Sequence, residues 1–269
     1  NIRNMNIELS IVIVEYHSVD EICCCVDRIF SKLSLPFEII VSSNSCYTQA
    51  EQEKVLTSEP RVKWLFNEQN GGFAYAMNKG LKASRGEYVV IMNSDCMVNS
   101  DMAEMVAFMR RHPDVGVVGP KIHDEEGHLQ DSARNYVSLP HFVWRQIKRT
   151  LYHRVCVLNP HMDYDKTQTV DWVIGAFMMV SREAYTKTGG LDDSFFMYAE
   201  DLDWCTRIRQ AGFEVVYYAD SEIIYKGTRR ARSDMNYAKI FLRSHLLYWK
   251  KFGFIYGYPK RRHVFFENE

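Results

Sequence analysis

The sequence predicts an α/β protein built on a doubly wound, mostly parallel sheet flanked by helices, and three observations carry that expectation. Short β-branched apolar runs recur along the first half, segments of helical period separate them, and the polar turns fall at the strand carboxyl ends, where such sheets bind ligands. With 269 residues, 46% of them hydrophobic and 25% charged, the chain can bury a substantial core.

Residues 9–14 read as a first strand, an apolar run buried on both faces. Residues 19–33 follow as a helix, with Ile22, Cys25, Val26, Ile29, Phe30 and Leu33 on one face. Residues 37–41 form the second strand, ending in the turn Ser42-Ser43-Asn44-Ser45. A weak helix leads to a third strand over 62–66, then a helix over 72–83 and a fourth strand over 88–92. A helix over 102–111 and a strand over 115–118 complete the rhythm. Residues 123–169 lack clean periodicity, apart from an amphipathic, basic piece near 142–152. Order returns over 170–180, in a helix over 182–188 stopped by Gly189-Gly190, in a helix over about 200–211 stopped by Gly212, and in a last strand over 214–218. In the tail, residues 235–252 set Ala238, Phe241, Leu242, His245, Trp249 and Phe252 at helical spacing. No Pro-, Gly- or Ser-rich linker and no repeat interrupts the chain. The economical reading is one domain over 1–232, in halves 1–120 and 121–232, with a C-terminal helical extension over 233–269.

A formal net charge of −1 excludes a strongly basic nucleic-acid binder. The basic residues are nonetheless gathered. No Asp or Glu occurs from Ser132 to Met162, while Arg134, Arg145, Lys148, Arg149 and Arg154 do. Residues 226–262 carry eleven Lys/Arg against one acid, Asp234. Interleaved with Phe, Trp and Tyr, these segments read either as packed helices with solvated basic faces or as contacts to a membrane surface or anionic acceptor. The seven cysteines, odd in number and with Cys23, Cys24 and Cys25 consecutive, form neither a disulfide framework nor a CxxC zinc site. They read as reduced thiols of a cytoplasmic protein. The longest apolar runs are too short to span a bilayer, and no signal peptide is expected.

Phosphate-loop and dinucleotide fingerprints are missing, since the chain has no GxxxxGK[ST] and no GxGxxG after the first strand. The fourth strand instead runs into Asn93-Ser94-Asp95. An acid alternating with a second oxygen ligand at a strand end can hold a hard divalent cation together with a diphosphate, although the same tripeptide also makes an ordinary turn. Glu200-Asp201-Leu202-Asp203 places three carboxylates at a helix start, after the aromatic run Phe195, Phe196 and Tyr198. Acids there complement the helix dipole, or else provide a walled general base for a hydroxyl.

Read together, these segments resemble family 2 glycosyltransferases of the GT-A fold, a Rossmann-like architecture, and in particular bacterial rhamnosyltransferase-like members acting on cell-surface polysaccharide. The resemblance covers nearly the whole chain. It rests on Asn67-Glu68-Gln69-Asn70-Gly71-Gly72-Phe73-Ala74 through Asn78-Lys79-Gly80, and on Gly86-Glu87-Tyr88 through Met92-Asn93-Ser94-Asp95. The longest block is Asp171-Trp172-Val173-Ile174-Gly175-Ala176 followed by Gly189-Gly190-Leu191-Asp192 and the run from Phe195 to Cys205. It implies a nucleoside-diphosphate sugar donor and an inverting transfer of that sugar, rhamnose being one candidate. Mg²⁺ or Mn²⁺ is implied at Asp95 with Asn93, and Asp201 as the base, with Glu200 beside it. The donor is implied to meet Tyr16, Ser43, Asn44, Asn70, Gly72, Asn78, Asn93, Ser94, Asp95, Trp172 and Gly175. The acceptor, a glycan or polyprenyl-diphosphate-linked oligosaccharide, is implied to meet Arg134, Tyr198 and Asp203. Peripheral contact with the inner face of the cell membrane goes with such an acceptor.

Three positions depart from the family pattern. The first strand leads into Glu15-Tyr16-His17, and Ser43 stands where the family carries an acid that contacts the nucleotide base. After the last strand, Ile223-Ile224-Tyr225-Lys226-Gly227 offers no histidine ligand, leaving Lys226 as a source of positive charge for a diphosphate. These departures sustain one rival, a catalytically impaired nucleotide-sugar-binding member of the fold. A nucleotidyltransferase would need a Gly-rich, basic loop after the first strand, which residues 15–20 lack.

Overall fold

The computed structural model describes residues 7–136, 138–140, 158, 162–227, 235–253 and 264–266. The basic piece near 142–152, with Arg145, Lys148 and Arg149, and also Arg154, lies outside them. So do residues 228–234 and 254–263 of the second basic segment.

Strands β1 (Leu9–Glu15), β2 (Phe37–Ser43), β3 (Lys63–Phe66) and β4 (Tyr88–Asn93) pair in parallel in the order β3-β2-β1-β4. The crossovers are helices α1 (Val19–Lys32), α2 (Gln49–Ser58) and α3 (Phe73–Ala83). The strand order reverses at β1/β4, and the crevice at such a switch point is where α/β sheets take ligands. Helix α2 is firmer than its weak apolar pattern implies, because Thr48 and Glu51 form a reciprocal capping box. In α1 the buried residues are Ile22, Cys25, Val26 and Ile29, whereas Phe30 stays exposed against Phe37, ring centroids 5.0 Å apart.

Strands β5 (Cys96–Val98), β6 (Val115–His123), β7 (Ala133–Arg134), β8 (Gln168–Thr169), β9 (Trp172–Val173), β10 (Phe177–Ser181) and β11 (Glu214–Tyr225) follow, with α4 (Ala103–Arg111), α5 (Arg182–Thr188) and α6 (Glu200–Gln210). The sheet continues β4-β10-β6-β11-β5. It is mixed: β10 runs antiparallel to both β4 and β6. An apolar run buried on both faces does not encode its direction, so the reversal is invisible in sequence. Its effect is local and large. Strand β10 starts at the ligand end of the sheet, and the preceding turn meets the end of β4, where Asn93 N–H donates to Ala176 C=O at 3.0 Å.

Alternation along the strands splits the core in two. Ile11, Ile13, Val90 and Met92 pack on one face with α1 and α4; Val12, Val89 and Ile91 pack on the other with α3, α6 and the last helix, α7 (Met235–Phe252). Helix α7 has the predicted extent but a different inner face. Ser244, Tyr248 and Trp249 are buried while Leu242 is half exposed, because the stripe continued by 245, 248, 249 and 252 passes through 241 and excludes 242. No described helix is long and apolar enough to cross a membrane. Cys23, Cys24, Cys25, Cys46, Cys96 and Cys205 are free thiols.

Candidate active site

The turn before α6 is built against its own backbone preferences. Tyr198 (φ 71°) and Ala199 (φ 64°) are consecutive non-glycine residues in left-handed conformation, a strain that persists only where neighbours enforce it. Two neighbours do. Phe196 C=O accepts from Phe73 N–H at 2.8 Å, and Met197 C=O accepts from Ser244 Oγ of α7 at 2.7 Å. Gly72 (φ 91°) is required at the first contact, since a Cβ there would lie 2.3 Å from the Phe196 carbonyl oxygen.

The turn delivers Glu200 and Asp201. Asp201 accepts from Gly175 N–H through Oδ2 at 2.7 Å and from Leu202 N–H through Oδ1 at 2.7 Å. Glu200 is buried, and its Oε2 finds no hydrogen-bond partner among the described residues. Burial, then the charge of Asp201, pushes the Glu200 carboxyl well above its ordinary range. Burial also raises Asp201, but the Gly175 and Leu202 N–H groups and the Arg134 charge oppose it. Burial thus raises both carboxyls, and the Gly175, Leu202 and Arg134 contacts favour the charged form at Asp201.

Both acids line a cleft with Arg134, Trp172 and Tyr198, so five of the expected residues converge and Gly175 joins through Asp201. The Arg134 guanidinium lies 5.1 Å over the Trp172 ring and donates to Asp131 Oδ2 at 3.0 Å. The far wall is α7, through Phe241, His245 and Trp249, which the sequence reading placed on a helix but not in a site. Asp203 is corrected. It is fully buried, with Oδ2 bound to Arg207 Nε at 2.7 Å and Oδ1 to Lys251 Nζ at 2.6 Å, so it holds helices together and offers an acceptor nothing.

At the end of β4, Asn93 Nδ2 donates to the Tyr225 hydroxyl at 3.2 Å, leaving its Oδ1 turned from that bond. Ser94 Oγ donates to Glu21 Oε2 at 3.2 Å, and Asp95 is partly exposed. Burial and the nearby charge of Asp95 push the Tyr225 hydroxyl upward, so it stays neutral. One carboxylate and one amide oxygen form an oxygen-only, sparse donor set, which fits a hard divalent cation whose remaining positions go to phosphates and water. Lys226, which follows β11, pairs its half-exposed ammonium with Glu125 at 3.3 Å.

At the ends of β1 and β2 the missing acid reappears from an unexpected strand. Parallel register sets Glu15 beside Ser43. The fully buried Glu15 carboxylate accepts from Ser43 Oγ (2.5 Å), Ser45 Oγ (2.9 Å), Tyr47 OH (3.0 Å) and Ser18 N–H (2.8 Å). Ser43 is thus not an uncharged gap, and the pairing of strand ends was the signal that finds Glu15. Tyr16 is about half exposed beside this cluster. Asn44 donates to Gly72 C=O at 2.9 Å and Asn70 accepts from Gly72 N–H at 3.1 Å, so both shape the loop that seats Gly72. Asn78 is corrected too. It donates to Leu191 C=O and Asp193 Oδ1 and accepts from Leu191 N–H at 2.9 Å, clamping the 189–193 loop instead of facing a donor.

A family model described as glycosyl transferase family 2 matches residues 10–189. The N-acetylglucosaminyl-diphospho-decaprenol L-rhamnosyltransferase of Mycobacterium tuberculosis is 27% identical over 225 residues, covering 74% of this chain and 71% of that protein. The low-salt glycan biosynthesis hexosyltransferase Agl10 of Haloferax volcanii is 24% identical over 214 residues, with 77% and 64% covered. The rhamnosyltransferase WbbL of Escherichia coli is 27% identical over 150 residues, with 55% of each chain covered. In fold, the chain is similar to GalNAc-T7 solved with UDP, GalNAc and Mn²⁺ (TM-score 0.60, 18% identity, 81% of this chain and 44% of that one). It is also similar to the mannosyltransferase PcManGT of Pyrobaculum calidifontis solved with GDP-Man and Mn²⁺ (TM-score 0.53, 18% identity, 84% and 59%). This chain spans less than two thirds of either solved chain.

Proposed function

The chain belongs to glycosyl transferase family 2, and from that premise we propose that it moves a sugar from a nucleoside-diphosphate donor to a hydroxyl of a lipid-linked or cell-surface glycan, with inversion at the anomeric carbon. The observation that carries this reading is Asp201: a carboxyl group held by two N–H groups, lining an aromatic-walled cleft. Asp201 takes the proton from the acceptor hydroxyl as that oxygen attacks. Glu200, keeping its proton, donates a hydrogen bond within the same cleft. The donor lies along the ends of β1, β2 and β4, its nucleotide beside Tyr16 and the Glu15–Ser43 cluster. Asp95 and Asn93 would hold a divalent cation, which when bound neutralises charge developing on the leaving diphosphate. The named rhamnosyl- and hexosyltransferase relatives support rhamnose or another hexose as the sugar transferred.

Thermal-shift screening against UDP-, GDP- and dTDP-sugars, followed by NMR of the product anomer, tests the reading. Retention of configuration, or no stabilisation by any donor, would overturn it. With Asp95 and Asn93 holding the cation, excess chelator is expected to abolish transfer and added Mn²⁺ to restore it; full activity in chelator would refute that assignment and leave the diphosphate charge to Lys226.

The outer face of α7 bears on location. Met235, Leu242 and Leu246 are exposed among the exposed Lys239, Arg243 and Lys250, and the helix contains no acid. This face fits the anionic inner surface of a membrane, where a lipid-linked acceptor resides. The expected result is flotation with phosphatidylglycerol vesicles at low salt and release at high salt; equal behaviour with neutral vesicles would refute it.

A further inference from the structure

The inner face of α7 borders the cleft beyond the stretch that the family model matches, and it is built as a wall. Phe241, His245 and Trp249 recur at every fourth residue and continue a ladder of rings from Tyr198. Successive centroids lie 5.5 Å (Tyr198–Phe241), 4.1 Å (Phe241–His245) and 5.7 Å (His245–Trp249) apart. The Phe241 carbonyl can only accept, so at 2.9 Å His245 Nδ1 is the donor, which orients the imidazole. Neighbouring side chains anchor the helix: Ser244 to Met197, Tyr248 to Thr206 at 3.0 Å, and Lys251 to Asp203 and Asp192 at 2.6 and 2.8 Å. Trp172, Glu200 and Asp201 line the same cleft.

The chemistry of this enclosure selects its occupant. Phosphate beside Asp201 would meet a like charge, so the nucleotide and its diphosphate belong elsewhere. An acyl or prenyl chain would set hydrocarbon against the part-exposed Asp201 carboxyl and Arg134 guanidinium, stripping them of water without replacing its hydrogen bonds. A neutral pyranose satisfies both conditions, since its C–H faces lie against aromatic rings while its hydroxyls at the rim reach the carboxyl groups. We propose that the Phe241–His245 face of α7, backed by the buried Trp249, is the acceptor-sugar subsite, seating a neutral pyranose with one hydroxyl toward Asp201, and that Phe241 and His245 determine which acceptor is used. This rests on the reading of the cleft as the transfer site.

The experiment uses the full chain and four probes: the methyl α- and β-glucosides, N-acetylglucosamine and galactose. Binding is measured by saturation-transfer NMR in the presence of UDP and Mn²⁺. At least one pyranoside is expected to bind wild type and to bind Phe241→Leu and His245→Ala at least ten-fold more weakly. Phe241→Leu keeps apolar bulk without the ring, and Leu242→Ala on the outer face is the control expected to bind as wild type does. Equal binding by wild type and both variants, or no binding of any probe to wild type, overturns the proposal. Donor hydrolysis is followed in parallel. If it persists while the subsite result is negative, the transferase reading stands and only the α7 assignment falls. If pyranosides bind through residues 241 and 245 but no donor is hydrolysed or transferred, a pyranose-binding face stands, and its acceptor role falls with the transfer reading.

Discussion

Asp201→Asn is expected to lower sugar transfer by about 10²–10⁴-fold, the range that a lost general base commands, while donor-induced thermal stabilisation stays within error of wild type. The asparagine occupies the same space and still accepts from one of the two N–H groups that hold Asp201, so geometry is largely preserved and basicity is lost. Unchanged turnover would remove Asp201 from the mechanism. The sign of the pH dependence follows from the same contacts. Burial raises the Asp201 carboxyl, so the ionised form appears only at higher pH than for a free carboxylate, and the acid limb of the rate profile moves upward with it. Glu200→Gln should move that limb little, because a Glu200 already carrying its proton places no charge on its neighbour. A large downward shift in the variant would show that Glu200 is ionised in the working enzyme.

Asp203→Ala is expected to cost roughly 3 kcal/mol of stability, the lower end for breaking a buried ion pair, since Arg207 and Lys251 are partly exposed and regain some solvent. For a chain of this size that is a fall in Tm of roughly 6–12 °C. Trp249 fluorescence should change with it as α7 loses its tie to α6. A Tm within about 1 °C of wild type would mean that the Arg207–Asp203–Lys251 cluster contributes no net stability. The same Lys251 also holds Asp192. Burial pushes that carboxyl up, but the ammonium and the Ser194 donors outweigh it and hold it at about 2. A depressed carboxyl contributes stability above its ordinary value near 4, and that contribution is lost as pH falls toward 2.

The β1-α1-β2 rhythm, the α3 and α7 extents and the acidic start of α6 were legible because apolar period and motif spacing are local properties. Direction is not local, which is why β10 reads like its parallel neighbours. The polar residues failed in a more instructive way. Asn78 and Asp203 belong to blocks that also carry site residues, yet one clamps a loop and the other joins two helices. A side chain that serves the fold has the same identity as one that serves a ligand, and only its partners tell them apart. Glu15 escaped for the opposite reason. An acid at a strand end reads as solvated until the β1–β2 register brings three hydroxyls onto it. Phe241, His245 and Trp249 were visible as a helical stripe, and a stripe does not say whether it meets a core, a bilayer or a cleft.

The contact between Gly72 and Phe196 has a consequence for how variants combine. The loop that seats Gly72 and the turn that presents Asp201 touch through Phe73 N–H and the Phe196 carbonyl, with no space for a side chain at position 72. Substitutions in the two loops therefore share a partner, and energies of residues that share a partner do not add. In mutational terms these distant stretches of sequence form one epistatic unit. A survey that changes them one position at a time would charge to the Gly72 loop effects that arise at the turn before α6.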